Sequence, residues 1–89
     1  MEFEWDPAKS EKNLAKHGVD FETAKQLFDD PDLIELRLPY QAEPRWAVVG
    51  MMRGKHWTGI ITKRNGNIRI ISVRRSHPKE EMVYEDSKE

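Results

Sequence analysis

The chain has 89 residues, 37% of them hydrophobic and 35% charged, which leaves room for one hydrophobic core and excludes a division into several domains. It contains no cysteine, so a disulfide framework, a cysteine zinc site and a thiol nucleophile are all excluded. The net charge of −1 conceals blocks: residues 1–36 carry 4 Lys/Arg against 10 Asp/Glu, residues 37–79 carry 10 against 1, and residues 80–89 carry 1 against 5.

Phe3-Glu4-Trp5 alternates as a short strand, and Asp6-Pro7 offers an N-cap followed by proline at the first helical position. A helix is expected from there to His17, with Gly18 as a left-handed C-terminal cap. Asp20 caps a second helix in which Phe21, Ala24, Leu27 and Phe28 recur at helical spacing, with Val19 stapled against Ala24. Asp29-Asp30-Pro31 stops it. A strand follows over residues 33–38, then a turn at Pro39-Tyr40-Gln41-Ala42. Arg45–Met51, Trp57–Lys63 and Ile68–Val73 read as three further strands of an antiparallel meander, the last two joined by an Asn65-Gly66 turn. Pro78 opens a short, polar C-terminal helix over about residues 78–86. The fold expected is α+β, one domain over residues 1–89, with helices on one face of the sheet and the other face open. The N-terminus is acidic and no apolar run is long enough for a membrane helix, so a soluble, cytoplasmic protein is expected, with no membrane partner.

The basic middle block is a candidate footprint for phosphate-bearing ligands; its bland counterpart is a set of strand edges guarded by Lys and Arg. Strand alternation puts Arg69, Ile71, Val73 and Arg75 on one face and Ile68, Ile70, Ser72 and Arg74 on the other. Arg69, Arg74 and Arg75 thus form a candidate guanidinium cluster for phosphate oxygens, although a cross-strand ion pair would equally account for Arg69. Lys63 and Arg64 lie at the opposite end of the sheet from Arg74. His17, His56 and His77 are each a possible acid or base, with simpler roles at helix ends set against His17 and His77. Tyr84 is either a third such group or an anchor for the terminal helix. Trp46 and Trp57 read as core residues more readily than as base-stacking platforms. No pair of histidines has metal-ligand spacing, and neither a metal nor another cofactor is expected.

Phe3-Glu4-Trp5-Asp6-Pro7, Lys9 and Asn13 ahead of Lys16-His17-Gly18-Val19, Phe21-Glu22-x-Ala24, Phe28-Asp29-Asp30-Pro31 and Arg69-Ile70-Ile71-Ser72-Val73-Arg74-Arg75 follow one another over residues 2 to about 85. In this ordered series the chain resembles the BrnT family of bacterial type II toxins. The resemblance implies a small RelE-like fold, with an antiparallel sheet of about four strands, two N-terminal helices on one face and a short C-terminal helix. It also implies an endoribonuclease that blocks translation and a BrnA-type antitoxin that binds it in a hetero-oligomer, operator DNA being bound only through that antitoxin. Metal-independent RNA cleavage needs a base, an acid and positive charge on the phosphate. The residues assigned on this basis are Arg69, Arg74 and Arg75 on the phosphate, His17, His77 and Tyr84 for proton transfer, and Lys16, Arg45, Lys63 and Arg64 as RNA contacts. The competing reading is a non-catalytic binding module that uses the same basic face.

Overall fold

The computed structural model describes residues 2–39 and 42–88. In chain order it comprises β1 (Phe3–Glu4), α1 (Pro7–His17), α2 (Phe21–Ala24), a 3₁₀ turn (Lys25–Asp29), β2 (Ile34–Arg37), β3 (Trp46–Met52), β4 (Lys55–Arg64), β5 (Asn67–Arg75) and α3 (Pro78–Ser87).

Local chemistry sets most of these boundaries. The Asp6 carboxylate accepts from the Ala8 N–H at 2.9 Å ahead of Pro7, and Gly18 closes α1 in the left-handed region at φ 83°. The Asp20 carboxylate accepts from the Thr23 N–H at 2.8 Å and opens α2. The second helix is less regular than expected: after Ala24 it tightens into 3₁₀ geometry up to Asp29, a common way of ending a helix. Two-residue turns join β3 to β4 at Arg53-Gly54 and β4 to β5 at Asn65-Gly66, with positive φ at all four positions, as the hairpin twist requires. The turn expected at Pro39-Tyr40-Gln41-Ala42 includes Tyr40 and Gln41, which lie outside the described residues.

Among the described residues the sheet has five strands in the order β1-β5-β4-β3-β2. The all-antiparallel, roughly four-stranded expectation needs correction, because β1 pairs parallel to β5 (Phe3 with Ile68, Glu4 with Arg69). The other pairings are antiparallel. Phe21, Ala24 and Leu27 pack with Val48, Trp57, Ile61, Ile70 and Val73 to form the core on one face. The expectation of an open opposite face also needs correction. His56 and Thr58 flank core-facing Trp57 and so point to that second face, where they meet Glu85 and Glu80 of α3. The C-terminal helix therefore covers one end of the second face.

Candidate functional site

β5 carries most of the predicted arginines, and a bulge decides where they point. Ile61 pairs with Ile70 and Ile60 with Ser72, so Ile71 is extra in the ladder. Beyond it the alternation reverses. Arg69 and Arg74 lie opposite Thr62 and Thr58 on the second face, whereas Arg75 lies opposite Trp57 on the core face. The face assignment read from strict alternation, which grouped Arg69 with Arg75, is corrected accordingly.

Most of the predicted cations are already paired. Arg69 is 3.4 Å from Glu4, its cross-strand neighbour. Arg74 makes two hydrogen bonds to the Glu80 carboxylate, at 2.8 and 2.9 Å. That fork, with the His77 N–H and the Thr58 hydroxyl, outweighs burial and holds the Glu80 carboxyl at about 2. The same carboxylate pushes the Arg74 guanidinium up. Arg45 and Arg64 converge on Glu43 at 3.7 and 3.5 Å. Lys63 meets Glu35 at 2.8 Å and lies over the Trp46 ring at 4.4 Å, with Arg37 also over that ring. Arg75 donates from Nε to the His56 carbonyl at 3.2 Å and rests on Trp57, 5.6 Å from the ring centroid.

His77 is exposed at the start of α3. Tyr84 is buried, with 1% of its surface exposed, and donates to Asp30 Oδ2 at 2.6 Å. Burial and this acceptor push the phenol up, which suits an anchor rather than a proton donor. Burial pushes Asp30 up as well, but the Tyr84 hydroxyl and the Met51 and Asp32 amides overcome it and leave its carboxyl below the usual carboxylate range. His56, the third histidine the sequence offers for proton transfer, sits beside this anchor instead: Nε2 is 2.7 Å from Glu85, Nδ1 3.6 Å from Glu81, and the ring stands edge-on to Tyr84.

Lys16 and His17 belong to a different place. Asn13 ties α1 to the edge of β5 beyond the end of β1: its Nδ2 donates to the carbonyls of Val73 (2.9 Å) and Val19 (2.8 Å), and its Oδ1 accepts from the Val73 N–H (3.1 Å). Between helix and strand runs an open cleft of about 210 Å³, lined by Lys9, Lys12, Asn13, Lys16, His17, Ile71 and Ser72. It contains no carboxylate, and Lys9, Lys12, Lys16 and His17 have no ion-pair partner among the described residues.

The predicted site residues therefore fall into three groups: Lys16 and His17 in the α1–β5 cleft; Arg45, Lys63 and Arg64 around Glu43 and Glu35 at the Trp46 end of the sheet; and Arg74, Arg75, His77 and Tyr84 at the β5–α3 corner. Arg69 lies on β5, two positions from Ile71 of the cleft. Sequence reasoning passed over Lys9 and Lys12 as site residues, although their spacing with Lys16 already puts them on one helical face.

Among the described residues no group of three or more His, Asp or Glu side chains is arranged to hold a metal ion, and no helix is long and apolar enough to cross a membrane. A family model described as the ribonuclease toxin BrnT of a type II toxin–antitoxin system matches residues 5–80. No curated protein matches the chain.

Proposed function

The chain belongs to the BrnT family of ribonuclease toxins of type II toxin–antitoxin systems, and on that premise we propose a metal-independent endoribonuclease of RelE-type fold that arrests translation by cutting RNA. In this reaction the ribose 2′-hydroxyl attacks the adjacent phosphodiester, a base accepts its proton, cations balance the charge on the pentavalent phosphate and an acid protonates the departing oxygen. The observation that carries the reading is the cleft itself, where a histidine stands among lysines and a serine with no carboxylate in the lining.

His17 is assigned proton transfer, with Lys16 beside it on the phosphate. Arg69 and Arg74 each stand two positions from a β5 residue of the cleft, about 7 Å along the strand; Arg69 is assigned to join the site, because its pairing with Glu4 at 3.4 Å is long and partly exposed whereas Arg74 is forked on Glu80. Arg45, Lys63 and Arg64 contact the RNA backbone further along the sheet, and Arg75 and His77 contact it at the corner. Arg74 and Tyr84 act by holding α3. A BrnA-type antitoxin neutralises the protein in a hetero-oligomer and alone contacts operator DNA.

The test is incubation of the purified protein with single-chain RNA in excess EDTA, with and without ribosomes, beside His17→Gln and Arg69→Ala. Wild-type cleavage leaving 2′,3′-cyclic phosphate ends is expected, with His17→Gln slowed by about 10²–10⁴-fold at unchanged RNA affinity. Intact RNA in every wild-type tube, with binding retained, overturns the reading in favour of a non-catalytic module of the same fold. That second reading draws on one observation, the prior engagement of Arg69 and Arg74 by glutamates.

A further inference from the structure

The unneutralised positive charge nearest His17 comes from the acidic third of the sequence rather than from the basic block. The strand cations Lys63, Arg64, Arg69 and Arg74, and Arg45 just ahead of β3, each face a glutamate. Lys9, Lys12 and Lys16, by contrast, are exposed and without an ion-pair partner among the described residues. Their spacing of three and four residues stacks them on one side of α1, over about 10 Å of helix, the length of a short run of backbone phosphates. They form one wall of the cleft; Ile71 and Ser72 of β5 form the other, and His17 lies at the C-terminal end of the lysine row.

We propose that the Lys9–Lys12–Lys16 row, with the Ile71–Ser72 wall, is the groove in which single-stranded RNA lies, its phosphates on the lysines and its chain directed toward His17. The proposal rests on the ribonuclease reading for the meaning of His17, but the groove itself follows from charge and shape. Lysine ammoniums are point charges that meet phosphate oxygens without demanding a fixed orientation, so this wall binds the backbone and reads no bases. Ile71, half-buried at the bulge, offers an apolar surface to a ribose or base edge. An acidic polypeptide is the less fitting occupant, because the cleft is lined by no Phe, Tyr or Trp and Ile71 is its one large apolar residue, too little for the buried anchor that protein partners commonly use. The clasp of Asn13 on β5 keeps the row in place before any ligand arrives.

The test uses an end-labelled, single-stranded 2′-O-methyl RNA, which lacks the attacking hydroxyl, in fluorescence anisotropy between about 50 and 200 mM salt. The Lys9→Gln/Lys12→Gln/Lys16→Gln variant is compared with wild type, with the charge-preserving triple arginine variant, and with Lys25→Gln/Lys55→Gln/Lys79→Gln, which alters net charge equally at positions outside the cleft. The proposal expects the cleft variant to lose about ten- to a hundredfold in affinity and about 2 in the log–log salt slope, the arginine variant to bind as wild type, and the control triple to change little. Equal losses in the cleft and control triples, or no loss in the cleft triple, overturn it and leave the ribonuclease reading untouched. Failure of that reading shows elsewhere: a protein that binds through these lysines yet leaves ribose-containing RNA uncut, with or without ribosomes, upholds the groove and overturns the catalytic assignment of His17.

Discussion

Asn13 and Val73, sixty residues apart in sequence, exchange two hydrogen bonds, Nδ2 to the Val73 carbonyl at 2.9 Å and the Val73 N–H to Oδ1 at 3.1 Å. The side-chain amide thus does for the edge of β5 what a neighbouring strand would do, and it holds the Val19 carbonyl as well. Asn13→Ala leaves these buried backbone groups without their partner. A loss of about 2–4 kcal/mol is expected, read as a lower urea midpoint at unchanged m. An unaltered midpoint would mean that water replaces the amide at no cost.

Glu80 gives the protein an acid-sensitive joint. Its carboxyl is held at about 2, against an ordinary value of 4.5, chiefly by the Arg74 fork. Because the folded value is the lower one, the stabilisation is complete above about pH 5, where the unfolded carboxyl is also ionised, and is lost as pH falls toward 2. About 3 kcal/mol is at stake. Glu80→Gln is expected to flatten this part of the stability–pH curve while lowering stability at neutral pH. A variant whose acid slope matched that of wild type would assign the slope to other carboxyls.

Tyr84→Phe separates an anchor from a catalyst. The substitution deletes the 2.6 Å bond to Asp30 and keeps the ring against His56. Stability is expected to fall by about 1–2 kcal/mol, with the RNA cleavage rate at saturating substrate within about twofold of wild type. A rate loss in the range of about 10²–10⁴-fold, typical of a missing general acid or base, would return Tyr84 to the chemistry.

Gly50 stands where β3 passes under the 3₁₀ turn. A methyl group there would lie 2.8 Å from Leu33 Cδ1, 3.1 Å from Asp30 Oδ2 and 3.3 Å from Leu27 Cδ1. The Leu33 contact is the far end of a flexible side chain, but Asp30 is held by the Met51 N–H and Tyr84. Gly50→Ala is expected to cost about 1–3 kcal/mol and to lower the thermal midpoint by about 5 °C or more. Calorimetry showing no change would mean that the turn moves freely.

What the sequence made legible was what neighbours in the chain decide among themselves. Asp6-Pro7, Gly18 and Asn65-Gly66 carry their own conformational instructions, and each lies where those instructions lead. The parallel pairing of β1 was not legible, because two residues at one end of the chain do not announce a partner near the other. The bulge at Ile71 left no mark either: nothing in a run of β-branched residues and arginines says where the alternation slips. The covering position of α3 was hidden because Met82 and Tyr84 stand two positions apart in its apolar stretch yet one is 61% exposed and the other 1%. Charge misled for a similar reason, since Glu4, Glu35 and Glu80 come from outside the basic block and only folding brings them to it. His17 stood out in the sequence as a candidate by its chemistry; the cleft that it lines needed the α1–β5 juxtaposition.

The join between α1 and β5 bears on when the groove exists. Its lysine wall is synthesised first, and the Val73 backbone that Asn13 grips, with the wall the lysines face, belongs to residues made some sixty positions later. While the chain is still threading out of a ribosome, itself built largely of RNA, the histidine and lysines are present with no opposing strand. Assembly must wait for the slow, sequence-distant contacts that bring β1 and α1 onto β5. A polypeptide abandoned before that strand is made carries every lysine of the row and none of the groove.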